Sequence, residues 1–457
     1  MAGVLVTSGD DGMRSLFKNM LLLTTATLAI GAGPVAALAD NPVVKVLTIG
    51  YPDQDSADPT TGAPIPGINQ LKDAFAKANP SITLDITNIP WGEGATGYAP
   101  KTEAMIKANQ ACLYEMPAAA GYGRRGSLVD LHTLIAADKD FKNVWGRQLE
   151  TSQTWGPNDP KSLFYIPNNT GERVVNWDAK IFKDYGVEPL SKNPTLEEIA
   201  AKAPKLTGKD PVTGEQTYGY WYQGKYAVWQ FLAIAHSMGA AWGGVDDKGA
   251  LTVNWDTPEY VKALHWFVDM AKYAPKGALG SDGMPQGFLT DDNTVAIIPE
   301  GEGGYFVQQM AADPTLNDRF RVSFNLRGAD GLGGVNTVSP LAMAASCDNK
   351  QAAWTVLKWL AGSPESQAYY FNASGRLPVT ENSAAAVPKI GKLPDGDIIL
   401  ASPLTAEAPY PWAAEQPRWS LQSALEAALA GTATPEDALK QAQKETADWL
   451  AQQKPGK

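Results

Sequence analysis

Residues 163–207 read LFYIPNNTGERVVNWDAKIFKDYGVEPLSKNPTLEEIAAKAPKLT, and few folds accommodate that order. A β-rich stretch ends at Pro167, which has no N–H to give a sheet ladder. A polar loop from Asn168 to Glu172 leads to a second strand over 173–177. A short helix over 179–185 stops at Gly186, where the missing Cβ tolerates a left-handed cap. After Pro194, Thr195 is placed to cap a helix with Glu197 and Glu198 in its first turn. Strands and capped helices in this alternation require an α/β chain.

The N-terminal half of the chain carries the same signature. Residues 43–50 are apolar at nearly every position, as buried parallel strands are. A Pro-, Gly- and Asp-rich loop (52–66), a helix (68–79), a strand (81–89), a helix (101–109) and a strand (111–116) complete a βαβαβ pattern. In open parallel sheets ligands bind beyond the carboxyl ends of the strands. The tips to watch are therefore 51–58, 90–97 and 114–118.

The chain has 457 residues, too many for one core and suited to two lobes. Its net charge of −11 argues against nucleic-acid or anionic-membrane partners, which need a basic face. Arg14 and Lys18, an apolar run over 20–31 and Ala37-Leu38-Ala39 have the order of a secretory signal. Cleavage is expected after Ala39, with Asp40 as the mature N-terminus. Asp10 and Asp11 precede the basic region, so translation from Met13 is the expectation, and precursor mass decides it. No Cys stands at the cleavage site, which points to an unlipidated protein of a Gram-negative periplasm. Cys112 and Cys347 are either disulfide-bonded or two separate buried thiols.

Further along, an aromatic loop (218–229) enters a helix ending at Met238, and 258–273 reads as a second helix. A strand (294–298) meets a Gly-rich turn (299–304), and strands at 322–326 and 338–345 flank a glycine-rich segment, 328–334. A helix (351–360), a turn (Gly375-Arg376-Leu377-Pro378) and helices at 420–429 and 435–452 follow.

Signals for catalysis are weak. His132, His236 and His265 have no metal-ligand spacing, and no P-loop, G-x-S-x-G or H-E-x-x-H run occurs. Asp53, Asp55 and Asp58 lack the Gly and terminal Glu of a calcium loop. Tyr369-Tyr370, mid-helix, reads as packing. No catalytic residue, metal or cofactor is expected. Paired carboxylates for glycoside hydrolysis remain open. The positive signal is aromatic supply, 14 Trp and 16 Tyr, many at strand tips or loops. Aromatic faces take the C–H face of a sugar ring, and amides, carboxylates and Arg take its hydroxyls.

Six segments, AFAKANPSITLDI, GSLVDL, the crossover at 163–207, TVAIIPEGEGGYF, AAWTVLKWLAGSPESQAYYFNASGRLPV and ALAGTATPEDALKQAQ, occur in the order seen in one family. Over residues 43–450 the chain resembles the extracellular solute-binding proteins of ABC importers, the family that includes maltose-binding protein. The resemblance implies a two-lobed periplasmic-binding-protein fold, each lobe a mostly parallel sheet flanked by helices, joined by a multi-strand hinge. Lobe one would comprise 40–165 with 337–373, and lobe two 166–336 with 374–457. Crossings are expected near 164–168, 325–336 and 372–378. It further implies a monomer that closes on a sugar or glycoside and delivers it to a membrane permease.

The expected ligand-binding set takes Asp53 and Gln54 from the first tip and Trp91, the foremost stacking candidate, from the second. Tyr114 and Glu115 stand where a maltose-binding relative presents a ring and its neighbours, and Tyr226 matches a stacking tyrosine, with Trp221 close by. Asn168, Asn169 and Thr170 follow the crossover proline. Gly301, Gly303 and Tyr305 form a turn in which that relative carries a stacking Trp at the position of Gly303, which argues against maltodextrin. Gly334 and Asn336 offer backbone N–H groups or hinge freedom. Trp412 and Arg418 complete the set; Arg418 would serve an acidic or sulfonated sugar. The alternatives are a polyamine on the same fold and a secreted carbohydrate-active enzyme.

Overall fold

The computed structural model describes residues 41–57, 62, 64–90, 98–116, 119–139, 141, 162–171, 173–245, 250–277, 284–302, 306–307, 309–310, 313–334, 337–379, 387–407, 410, 412 and 415–452. The principal elements begin with β1 (Val43–Ile49), α1 (Ile68–Ala78), β2 (Thr83–Ile89), α2 (Tyr98–Lys107), β3 (Leu113–Glu115) and α3 (Ala119–Arg124). Next come β4 (Tyr165–Gly171), β5 (Arg173–Asp178), α4 (Ala179–Asp184), α5 (Leu196–Lys202), α6 (Ala227–Ser237) and α7 (Pro258–Asp269). The last third holds β6 (Ile297–Glu302), β7 (Phe320–Phe324), β8 (Thr337–Met343), α8 (Lys350–Gly362), α9 (Pro364–Ser374), α10 (Gly396–Thr405), α11 (Gln416–Leu429) and α12 (Pro435–Gln452).

Local chemistry sets the boundaries. The Asp178 carboxylate caps α4 by accepting from the Lys180 and Ile181 N–H groups, and Gly186 beyond it adopts φ 63°. Thr195 Oγ1 accepts from Glu198 N at 3.1 Å and starts α5. Ser363 caps α9 with Pro364 at its first position, and Gly375, at φ 67°, closes it.

One sheet runs β2-β1-β3-β8-β4, and a second, of three strands, runs β6-β5-β7. β1 is parallel to β2 and β3, whereas β8 is antiparallel to β3 and to β4. Both pairings of the second sheet are antiparallel. The α/β class agrees with the sequence, and in the first sheet four of the five strands run the same way with β8 against them, whereas the described pairings of the second sheet are antiparallel. The βαβ pattern was legible only in the first stretch; β6, β7 and β8 join through turns and hinge segments, which leave strand direction open.

Both faces of each sheet are covered. Val44 and Val46 of β1 enter a core with Phe75, Leu357 and Leu360, while Leu47 and Ile49 enter another with Tyr114, Phe164 and Ala342. In β5, Val175 and Trp177 face the large core of α6, α7, α11 and α12, and Val174 faces Ile398 and Ile399 of α10. α10, which contains Pro403, was absent from the sequence reading. Cys112 and Cys347 are bonded, with Cα atoms 4.7 Å apart, so the disulfide ties the start of β3 to the segment after β8.

The crossover differs from expectation in one respect. β4 does not end at Pro167; it pairs with β8 as far as Gly171, and the chain changes sheet between Gly171 and Arg173. Pro167 lies opposite Pro340, and neither can donate to the ladder. The register slips there and resumes at Asn169 opposite Ser339, leaving Asn168 as the extra residue of a bulge. The turn expected over 299–304 is likewise strand as far as Glu302, with a register shift between Ile298 and Gly301 and Glu300 at φ 59°.

Candidate functional site

The ends of β1 and β3 meet β4 in a buried polar ensemble. Tyr51, just past β1, donates its hydroxyl to Glu115 Oε1 at 3.0 Å. Asn169 Nδ2 reaches the Tyr51 oxygen at 3.1 Å and Asn168 Oδ1 at 2.9 Å. Gln367 of α9 donates to the Asn168 carbonyl at 2.6 Å and accepts from Val379 N at 3.1 Å. Asn168, Asn169 and Thr170 are wholly buried, and Glu115 nearly so. Burial pushes the Glu115 carboxyl up to about 7, against the pull of Tyr51, Ser339 and the Arg376 charge.

This ensemble is not closed on itself. Glu115 Oε2, Asn168 Nδ2, Asn169 Oδ1 and the hydroxyls of Tyr369 and Tyr370 have no hydrogen-bond partner among the described residues. Burial holds the Tyr370 hydroxyl well above its usual pKa, with nearby Asn168 pulling against it, yet neither open atom attains hydrogen-bond geometry. Each unsatisfied buried group costs about 1–3 kcal/mol, so five in one neighbourhood call for partners from outside the chain.

A second polar group lines β5 and β6. Glu300, buried at positive φ, accepts from Asn325 Nδ2 at 2.6 Å, and its carbonyl accepts from Gln223 Nε2. Gln230 donates to the Trp221 carbonyl at 2.8 Å and to the Pro299 carbonyl at 3.2 Å. Both amide atoms of the buried Asn176 lack partners. Gly301 is required beside it, because a Cβ there would stand 1.7 Å from Asn176 Oδ1. Gly334 has φ 76°, and a Cβ there would meet Asn325 Nδ2 at 2.3 Å.

Several candidates take other roles. Tyr114 points away from Glu115, as alternate strand residues must. Its hydroxyl accepts from Ala111 N at 3.0 Å and donates to Met105 O at 3.1 Å, within a hydrophobic core. Trp412 is fully buried, stacked on Tyr410 with centroids 4.8 Å apart and planes 5° from parallel. Trp221 also belongs to that core, and Tyr226 packs against it. The Arg418 guanidinium lies over Trp229 at 5.1 Å and Trp419 at 4.4 Å. Asp53 and Gln54 are exposed on the loop after β1. Trp91, Gly303, Tyr305 and Asn336 lie outside the described residues. A groove of about 730 Å³ between α5, α7 and Arg327 includes none of the candidates.

Sequence reasoning missed Tyr51, Asn176, Gln230, Glu300, Asn325 and Gln367. Two of them carried a readable signal: Gln230 is the polar residue in the apolar helix run AVWQFLAIA, and Glu300 is a charge in the strand run IIPEGE. Also unanticipated was an ion pair between α3 and the start of α11, Arg124 Nη2 to Glu415 Oε2 at 3.3 Å, largely buried. Glu415 Oε1 lies against α3 where Gly121 leaves room; a Cβ there would stand 2.2 Å from it. Burial pushes the Glu415 carboxyl up, and Arg124 and Arg125 pull it back. Among the described residues no three His, Cys, Asp or Glu side chains gather as a metal site.

Comparison with known proteins gives this geometry its context. The family described as bacterial extracellular solute-binding protein matches residues 60–368. A binding protein of Brucella abortus (strain 2308) is 24% identical over 346 residues, covering 70% of this chain and 74% of its own. Among solved structures, the sugar-binding protein MalE of Xanthomonas citri superposes with a TM-score of 0.70 at 16% identity, covering 90% of this chain and 98% of that one. An ABC substrate-binding protein of Listeria monocytogenes in complex with cycloalternan gives 0.67 at 18%, covering 90% and 100%. A solute-binding protein of Agrobacterium radiobacter K84 in complex with ribitol gives 0.67 at 20%, covering 90% and 99%. These likenesses show the two-lobed fold.

Proposed function

Because the chain belongs to the bacterial extracellular solute-binding proteins, we propose that it captures a sugar, polyol or glycoside in its interlobe cleft and delivers it to the permease of an ABC importer. The observation that carries this reading is the open ensemble of Glu115, Asn168, Asn169 and Tyr370 at the carboxyl ends of β1 and β3. Carboxyl, amide and phenol groups each complement a hydroxyl, and a partner rich in hydroxyls satisfies them without burying an unpaired charge. The complexes with cycloalternan and ribitol supply the ligand class by analogy.

Binding would proceed by hinge closure. The open form samples the closed one, and a solute touching both lobes stabilises closure in proportion to its differential contacts. The Arg124–Glu415 pair, joining α3 to α11, is a protein-only contact that closure would form. No bond of the solute is broken, and the expected working form is a periplasmic monomer cleaved after Ala39, with Trp91 stacking on the bound ring.

Thermal unfolding of residues 40–457 against neutral sugars, polyols, acidic sugars and polyamines tests the reading. A ligand at 100 times its Kd adds about 2.7 kcal/mol when only the folded state binds it. A shift with one sugar class and no product formed is the expected outcome. A shift with polyamines alone, or turnover of a glycoside, overturns it.

A further inference from the structure

The turn that closes α9 carries a cation no functional reading has used. Gly375 reverses the chain, and Leu377 then pairs with Thr170 in both directions, N to O at 2.8 Å and O from N at 3.0 Å. Two residues on, Val379 N is held by Gln367, whose amide also holds the Asn168 carbonyl. Arg376 is therefore fixed on a turn stitched to β4 at both sides of the open asparagines. It is half-buried, and its charge acts on Glu115 and on Tyr51. Nevertheless it forms no hydrogen bond or ion pair among the described residues, although guanidinium and carboxylate ordinarily pair through two parallel bonds.

We propose that Arg376 binds the solute directly, and that the solute is a polyhydroxylated acid: a sugar or sugar alcohol bearing a carboxylate. This rests on the reading that a solute occupies the Glu115–Asn168–Asn169 ensemble. The carboxylate takes the planar fork of Arg376. Hydroxyls take what the ensemble leaves open, a donor at Asn168 Nδ2, an acceptor at Asn169 Oδ1, and Glu115 Oε2, which donates when the carboxyl is protonated and accepts when it is ionised. A buried Glu115 that holds its proton near neutral pH gives the acid a donor rather than a repelling charge. The competing role, counter-ion to Glu115, predicts an ion pair, and none is formed.

Titration calorimetry at pH 7 on residues 40–457 with matched probes tests this: galactose against galacturonate, and glucitol against gluconate. A charge-assisted pair contributes about 1.5–3 kcal/mol, or roughly 10- to 100-fold, so the acid of at least one pair should bind that much tighter. Arg376→Gln should abolish the preference. Arg376→Lys, which keeps the charge and loses the fork, should retain part of it and shows that the fold tolerates the site. If both members of each pair bind equally, or if Arg376→Gln keeps the preference while losing stability above neutral pH, Arg376 is only a counter-ion and sugar capture still stands. If neither neutral nor acidic members bind, both this inference and the sugar reading fall.

Discussion

Glu115 and Trp412 are equally hidden from solvent, yet their surroundings are built on opposite rules. Around Trp412 the rings of Tyr410, Trp242 and Trp255 contact it at centroid distances of 4.8, 6.1 and 5.1 Å. Most nearby polar tips are satisfied: the Trp255 indole donates to Thr446 Oγ1 at 3.0 Å and the Tyr410 hydroxyl to Glu407 Oε2 at 2.9 Å, with the Trp412 N–H and Glu407 Oε1 as exceptions. Around Glu115 the opposite holds, with open atoms on Glu115 itself and on four neighbouring side chains. A closed aromatic column holds a lobe together, whereas an open polar ensemble is completed by something else. Among the described residues many of the chain's aromatic rings fill this core.

The sharpest way to break that contrast is Trp412→Ala. Deleting a buried Trp costs about 3–5 kcal/mol, so denaturant unfolding of the solute-free protein should show a loss of that size. A variant with unchanged stability but weakened solute binding would return Trp412 to the ligand-binding set.

Glu115→Gln probes the other side. The Glu115 carboxyl is raised from 4.5 to about 7 in the folded chain. A raised acid holds its proton more tightly when folded. The associated stability is complete below the unfolded pKa and is lost as pH rises through about 7. That loss is of the order of 3 kcal/mol. Glu407 and Glu415 are also raised by burial, so the difference between wild type and Glu115→Gln isolates this group. Unfolding free energies at pH 5 and pH 8 should fall further in the wild type than in the variant. Parallel slopes would mean that Glu115 is not desolvated.

Gly121→Ala tests whether the two regions communicate through α3. Alanine favours the helix, but its Cβ would press on Glu415 Oε1 and displace it from Arg124. Overpacking of about 1–2 kcal/mol confined to the closed form should weaken solute binding roughly tenfold without lowering the stability of the open form. Small-angle scattering with and without solute shows whether closure is what is lost. Unchanged affinity would leave the pair an incidental contact.

These contrasts show what a linear reading reaches. The cap at Thr195, the turn at Gly375 and the βαβαβ start are local in sequence and could be read directly. Asn168 and Asn169 were picked out because they follow the crossover proline, although the ladder resumes beyond it as far as Gly171. Tyr114 and Glu115 were assigned together, although adjacent strand residues face opposite ways and only Glu115 reaches Tyr51. Gln367 reaches Asn168 of β4 across 199 residues of chain, and the Arg376 charge reaches Glu115 from still further along it, through neighbourhoods that only the folded topology creates. The β4 extension to Gly171 likewise depends on a second proline, Pro340, that no local pattern connects to Pro167.

Arg418→Gln carries the smallest expected effect and separates the two cations most cleanly. Its guanidinium lies over Trp229 and Trp419, beside the aromatic column. A cation–π contact of this partly exposed kind contributes about 0.5–1 kcal/mol, so its loss should shift unfolding by an amount of that order. Discrimination between galacturonate and galactose should be untouched, because the charge that reads the solute is on the α9 turn. If Arg418→Gln erases that discrimination instead, the acid-recognising group is Arg418, beside the aromatic column. The aromatic column would then be a wall of the cleft rather than the interior of a lobe.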